Sequence, residues 1–281
     1  MAPRENVLSS QRSFFGVLRV MALDAPHIGG ARRMAHGTTL HGAQALSPEW
    51  RCQPLVYYAP TTPIGQTFRA MQARQPALTI GAIGMGAGTV AAYTRAADTL
   101  RFYEIDPLVV RTASDPAQFS YVNGCAQGSV DTVLGDARLM LAHEPSARFD
   151  LLLVDAFSSD SIPAHLLTVE AMQLYLDRIK PDGVIIMHLS NRHLELIEPV
   201  TVTARAAGGA AMVQIYRPED PSPLVDTPED AVIIARDPAV LAAFAADPRW
   251  TQPPASETRV WTDDYVNLFG ALVRGMNREG R

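Results

Sequence analysis

The stretch Ala77-Leu-Thr-Ile-Gly-Ala-Ile-Gly-Met-Gly-Ala-Gly-Thr89 constrains this chain more than any other. Its first half alternates and then runs apolar, the pattern of a buried parallel strand. Its second half sets glycines at alternate positions, Gly84, Gly86 and Gly88, and Thr89-Val-Ala-Ala-Tyr-Thr-Arg95 then reads as the start of a helix. Strand, glycine turn and helix make the first half of a nucleotide-binding crossover, in which glycines allow a sharp turn and a close approach to a ligand. The dinucleotide fingerprint needs its third glycine one residue later. Alternate glycines suit a nucleoside of the S-adenosylmethionine kind, which carries no pyrophosphate. An ordinary tight strand-to-helix turn would look the same, and the glycines alone leave both readings open.

Composition bounds the rest. Of 281 residues, 47% are hydrophobic and 19% charged, enough apolar matter for a sizeable core in one large domain or one large and one small. The net charge is −5 and no run rich in lysine or arginine occurs, which argues against nucleic acid as a partner. Cys52 and Cys125 make neither a disulfide framework nor a zinc-type spacing, so a reducing, cytoplasmic setting is the expectation. No apolar run approaches a membrane span, and the first residues lack a signal-peptide pattern.

Residues 1–70 read as an N-terminal domain of antiparallel hairpins. Phe14–Leu23, Ala31–Leu46 and Pro54–Tyr58 are rich in strand formers, with turns at Pro26, Gly29, Gly30 and Pro48. Ile64–Arg74 has helical apolar spacing. Residues 71–281 form a second unit in which strands and helices alternate, as in a mostly parallel sheet covered on both faces. The strands are expected at Thr99–Ile105, Ser129–Leu134, Asp150–Asp155, Gly183–Leu189, Ala211–Ile215 and Ala231–Ala235. Helices are expected at Pro107–Ala113, Ala137–His143, Val169–Ile179, Leu194–Ala207 and Ala239–Ala246. Pro107 suits a first helical turn, Asp136 and Thr168 suit N-caps, and Pro181–Gly183 suits a turn. Arg217–Pro228 reads as a long loop able to act as a lid.

Several carboxylates fall where such a sheet binds ligands, beyond the carboxyl ends of its strands. Glu104 follows Gly84 by 20 residues and suits the hydroxyls of a ribose, although a solvated strand-end acid reads alike. Asp136, followed by Ala137, is a helix cap, an acceptor for an adenine amine, or both at once. Asp155 ends the apolar run Leu151–Val154, where partial desolvation suits a general base; a capping Asp in a polar turn is the plainer reading. Asp160 stands in the loop that follows, and two acids at a cleft can hold and deprotonate a cationic amine. Gln44, Tyr57 and Tyr58 line a pocket or fill a core. None of the seven histidines has metal-ligand spacing, and no metal is expected.

Taken together, Gly84-Met-Gly-Ala-Gly88, Glu104-Ile-Asp106, Gly135-Asp-Ala137 and the Asp155 loop resemble, in order and spacing, the spermidine synthases, the polyamine aminopropyltransferases. Leu40-His-Gly-Ala-Gln44 followed by Tyr57-Tyr58 resembles that family's small β-domain. The branch often fused to membrane transporter segments has stretches similar to Arg12–Arg19, His36–Gly42, Asp155–Pro163 and Trp261–Tyr265. The resemblance implies a Rossmann-like, methyltransferase-type seven-strand sheet with a small N-terminal antiparallel β-domain, working as a homodimer. It implies decarboxylated S-adenosylmethionine as co-substrate and a small-molecule amine as acceptor. By carry-over, Glu104 binds the ribose, Asp136 and Ala137 meet the adenine, Gly84, Gly86 and Gly88 pack on the nucleoside, and Asp155 is the base. Gln44, Tyr58, Asp160 and His41 fall to the amine side.

That side departs from the family pattern. The family's Leu-Asp-Gly is Leu40-His-Gly42 here, and Pro60 stands where an acid follows the pocket tyrosine. Asp160 comes five residues after Asp155 instead of three, and the Tyr-Pro-Thr segment of the later substrate loop has no counterpart near Tyr216. Putrescine as acceptor is thus less supported than the nucleoside donor. Two other functions fit the same residues: a methyltransferase using intact S-adenosylmethionine, and a non-catalytic nucleoside- or polyamine-binding module.

Overall fold

The computed structural model describes residues 5–37, 39–157, 163–191, 193–219 and 224–279. Four strands open the chain: β1 (Glu5–Ser13), β2 (Gly16–Leu23), β3 (Ala31–His36) and β4 (Thr39–Ala45). They pair antiparallel in the order β1-β2-β3-β4. The next apolar stretch is not the expected strand. Val56–Tyr58 forms a 3-10 turn, because Val56 sits at φ +56°, where an extended run cannot continue. Leu55, Val56, Tyr57 and Tyr58 are all buried there, so their hydrophobicity serves a compact turn rather than a sheet. Helix α1 (Pro63–Arg74) follows, entered through a proline in its first turn.

The second sheet comprises β5 (Thr79–Ile83), β6 (Thr99–Glu104), β7 (Ser129–Leu134), β8 (Phe149–Val154), β9 (Ile179–His188), β10 (Ala210–Tyr216) and β11 (Glu229–Ala235). Its strand order is β10-β11-β9-β8-β5-β6-β7. Strands β5 to β9 pair in parallel, while β11 runs antiparallel to both β9 and β10. This is the expected methyltransferase-type α/β fold with its small N-terminal antiparallel sheet. The covering helices are α2 (Pro107–Ser114), α3 (Ala137–Ala142), α4 (Val169–Arg178), α5 (Ile197–Ala206), α6 (Ala242–Ala245) and the terminal α7 (Leu268–Glu279). Asp106, Asp136 and Thr168 cap α2, α3 and α4 through their side chains, which fixes the entry angle of each helix.

Three local expectations are corrected. After the glycine turn there is no full helix, only a 3-10 turn at Thr89–Tyr93. Asp98 draws the chain back at once: its carboxylate accepts the N–H of Leu78, at the foot of β5, and that of Arg95. The N-terminal sheet covers the turn instead, with Gly42 of β4 so close to Ala87 that a Cβ there would lie 2.8 Å from the Ala87 Cβ. Pro181–Gly183 is not a separate turn but a bulge inside β9, since Phe149 pairs with Ile179 and Leu151 already with Val184. Finally, the cysteines are not free thiols. Cys52, in the segment leaving β4, is bonded to Cys125 across 73 residues.

One continuous core joins the two sheets: Met34 and Ala43 from the first pack with Phe68 of α1 and with Ile80, Phe102 and Ile233 from one face of the second. The opposite face of the large sheet packs against α4 and α5. Because β6 and β7 lie on one side of β5 while β8 lies on the other, the chain reverses its winding between β5 and β8. A crevice opens at such a point beyond the strands' carboxyl ends.

Candidate active site

The glycine turn forms the floor of that crevice. Gly84 and Gly86 have φ of +89° and +52°, and a Cβ at either would come under 3.0 Å of a backbone oxygen, that of Asp155 or of His41. Side chains are therefore excluded twice, by conformation and by space. Both residues line an open cleft of about 690 Å³, counting the solvent at its mouth. Gly88 lies outside it and faces Val122 instead.

Glu104 joins the turn to the end of β6. Its Oε2 accepts the N–H of Met85 and its Oε1 the N–H of Asp106, each at 2.9 Å. Each oxygen keeps a lone pair for a ligand hydroxyl. Burial pushes its carboxyl above the usual range. Asp106, beside it, caps α2 with Oδ1 and accepts the Ser13 hydroxyl on Oδ2 at 2.5 Å. At the end of β7, Asp136 caps α3 and has His165 Nε2 3.0 Å from its Oδ2; Ala137 follows on the cleft wall. The helix-cap reading of Asp136 is thus realised, with the carboxylate still on the cleft.

Asp155 emerges from the end of β8, 9% exposed. The Tyr58 hydroxyl donates to its Oδ2. Desolvation pushes the Asp155 carboxyl up to about 6, with His188 and the Tyr58 bond pulling the other way. A carboxylate with that affinity can take a proton near neutral pH and release it again.

Of the other sequence-predicted residues, His41 lines the cleft, its ring edge-on to His36 at 5.0 Å. Gln44 does not reach the cleft. Its Nε2 donates to the Arg51 carbonyl and the Ser120 hydroxyl and its Oε1 accepts the Ser120 N–H, so it ties β4 to two loops and its polar atoms are spent on structure. Asp160 lies outside the described residues. Sequence reasoning missed Phe15, His36 and His165 on the cleft wall, and Glu229 behind it. Glu229 is the first residue of β11, one residue ahead of its apolar run, and was separable from a loop acid only by knowing that the strand begins there.

The lining carries four carboxylates, Glu104, Asp106, Asp136 and Asp155, and no Lys or Arg among the described residues. Such a cleft favours cationic ligands and repels anionic ones. Among the described residues no group of three or more His, Cys, Asp or Glu is arranged to hold a metal ion.

No protein-family model matches the chain, and no curated protein matches its sequence. Solved structures do match. A probable spermidine synthase from Corynebacterium glutamicum superposes with a TM-score of 0.65 at 13% identity, covering 92% of this chain and 98% of that one. The spermidine synthase of Thermotoga maritima gives 0.54 at 14% identity, covering 95% and 84%. A spermidine synthase in complex with the transition-state analogue AdoDATO gives 0.53 at 14%, covering 95% and 83%. At such identities the likeness is one of fold.

Proposed function

We propose that this protein is an aminopropyltransferase that moves an aminopropyl group from decarboxylated S-adenosylmethionine to a small amine. The observation that carries the reading is the cleft itself: four carboxylates, no Lys or Arg among the described lining residues, and a buried acid poised near neutrality at its end. Glu104 would hold the ribose hydroxyls, Asp136 and Ala137 the adenine edge, and the Gly84–Gly86 backbone the body of the nucleoside. The incoming ammonium gives a proton to Asp155. The freed nitrogen lone pair attacks the carbon next to the sulfonium, a C–N bond forms, and the C–S bond breaks with its electron pair passing to sulfur. Methylthioadenosine leaves uncharged. Asp155 supplies the proton acceptor, Tyr58 orients it, and the cleft holds the nitrogen and the carbon in line.

Intact S-adenosylmethionine carries a carboxylate that no Lys or Arg among the described lining residues would meet, which weighs against methyl transfer. A purely binding role leaves the cost of keeping Asp155 buried without a purpose. The structural neighbours named as spermidine synthases support the same reading, as does the resemblance in sequence, which also implies a dimer. The test is to incubate the protein with each nucleoside and a panel of amines and to weigh the products. Methylthioadenosine with an aminopropylated amine is the expected outcome. S-adenosylhomocysteine would mean methylation, and no product a binding role. With His41 and Pro60 in place of acids, putrescine is expected to be a poor acceptor, below about 10⁴ M⁻¹s⁻¹ in kcat/KM, the low end for ordinary enzymes.

A further inference from the structure

Behind Asp155 lies a buried polar cluster that the transfer step does not use. Glu229 opens β11 with no exposed surface, and His188 closes β9 at 5%. His188 Nδ1 is 3.3 Å from Glu229 Oε1. The imidazole is held on two sides: the Tyr57 ring stacks on it with centroids 4.3 Å apart, and Phe157 meets it edge-on at 5.2 Å. Tyr57 in turn packs on Tyr58, whose hydroxyl donates to Asp155. Val154 pairs with Met187, so Asp155 and His188 leave the sheet side by side. Strand β9 lies between β11 and β8, which places Glu229 to one side of His188 and Asp155 to the other.

A fully buried carboxyl and imidazole are costly, and apolar residues of like volume would serve packing better. Burial pushes the Glu229 carboxyl well up and the His188 imidazole down, which favours an uncharged pair sharing one proton between Oε1 and Nδ1. On whichever of those two atoms that proton sits, the other nitrogen, Nε2, keeps a hydrogen of its own.

We propose that Glu229 and His188 form one positioning unit for Asp155: Glu229 occupies Nδ1, which fixes the imidazole hydrogen on Nε2 and aims that N–H dipole to the side of the base. The inference rests on the function proposed above only in calling Asp155 the base. The unit keeps a desolvated carboxylate ionised and ready to accept a proton. The groups that act on Asp155 are Tyr58 from the 3-10 turn, Glu104 from β6, His188 from β9 and Glu229 from β11; the Tyr58 bond favours its ionised form and Glu104 opposes it, while the charges by which a protonated His188 would favour it and an ionised Glu229 oppose it are both removed in the uncharged pair. Those that face His188 are Glu229 at its Nδ1, Asp155 and Asp230. Glu229 also accepts the Ile64 N–H in the first turn of α1, at 3.4 Å, which is the purely structural alternative.

The test uses the full chain labelled for NMR. The ¹⁵N shifts of His188 report its tautomer, and the ¹³C carboxyl shift of Asp155 reports its titration. In the parent, His188 is expected as the Nε2–H form and Asp155 to titrate near pH 6. His188→Gln should raise the Asp155 midpoint by about one pH unit, the scale of a lost donor to a buried carboxylate. Glu229→Leu should leave His188 as a mixture of tautomers and move Asp155 too, with no further movement once His188 is also replaced. An Nδ1–H tautomer in the parent, or an unmoved Asp155 midpoint in a folded His188→Gln protein, overturns the proposal; so does a Glu229→Leu variant that only melts earlier. Should His188→Gln not fold, the parent's tautomer decides alone. Absence of any amine transfer by the parent would defeat the proposed function and leave the titration result standing.

Discussion

Asp155 is strained in the thermodynamic sense, and two opposite consequences follow from one substitution. Its carboxyl binds a proton up to about pH 6, whereas an unfolded Asp releases it near 3.9. The native state thus holds the proton more tightly, and stability from this group is fully present below about pH 4 and is lost as pH rises toward 6. Above that, keeping Asp155 ionised costs about 3 kcal/mol. Asp155→Asn removes the cost while its amide oxygen still accepts the Tyr58 hydroxyl. Urea unfolding should find the variant no more stable than the parent at about pH 4 and more stable by about 3 kcal/mol at about pH 8. The same variant should lose about 10²–10⁴ in transfer rate, the usual worth of a general base, with nucleoside affinity little changed. A variant that folds, binds donor and transfers at the parent rate would end the assignment of Asp155 as base. Glu104 makes a cleaner binding test. Glu104→Gln keeps an acceptor for one of the two backbone amides but removes the charge, and affinity for methylthioadenosine should weaken by about 1–3 kcal/mol. Calorimetry showing unchanged affinity would take Glu104 out of the site.

Among elements, the glycine turn is the one whose geometry leaves least freedom. Gly84→Ala brings a Cβ against the backbone of Asp155 in a left-handed conformation, so the turn, the end of β8 and Asp155 must shift together. Gly16, at φ +131° with nothing within 4 Å, is the control for conformational strain alone. We expect Gly16→Ala to cost about 1 kcal/mol and Gly84→Ala about 3 kcal/mol or more, with loss of nucleoside binding only in the second. Equal losses in denaturant midpoint would show that the turn relaxes away from β8. The importance of this turn was legible from three alternate glycines, the positions of β6, β7 and β8 from runs that lead into Glu104, Asp136 and Asp155, and that of β11 from its apolar run alone. What surrounds the turn was not. Thr89–Tyr93 has helical composition but is drawn back after one turn by Asp98, and Pro54–Tyr58 has strand composition but turns at Val56. In both cases contacts distant in sequence override local preference, and no window of neighbouring residues contains them.

At the scale of the whole molecule the same limit applies to pairs of residues. Gln44 and Ser120, 76 residues apart, meet because β4 and the loop before β7 flank one core, and no spacing rule predicts that Gln44 will be spent there instead of at the cleft. Cys52 and Cys125 are the covalent version. Two cysteines in a long chain read as free thiols, yet the fold brings their Cα atoms to 5.2 Å. The bond joins the segment that carries Tyr57 and Tyr58 into the core to the turn at Tyr121–Cys125, and the Tyr121 hydroxyl reinforces the joint with its one hydrogen shared between the carbonyls of Ala43 and Gln53. The turn at Tyr121–Cys125 is thereby cross-linked to the segment that follows β4, the strand that covers the glycine turn. Closing a loop of 73 residues removes unfolded-state entropy worth about 4 kcal/mol in the chain-entropy model. Cys52→Ser, or reduction of the native chain, should therefore lower stability by up to about 4 kcal/mol, read as a fall in denaturant midpoint. The native chain, unfolded without reductant, should show no titratable thiol. Cys52 is exposed, so a disulfide in this position persists only where the surroundings are oxidising. Two free thiols in protein kept from air and reductant, or a Cys52→Ser variant with the parent's midpoint, would return the cysteines to the plain role their sequence suggests and restore a reducing compartment as the natural setting.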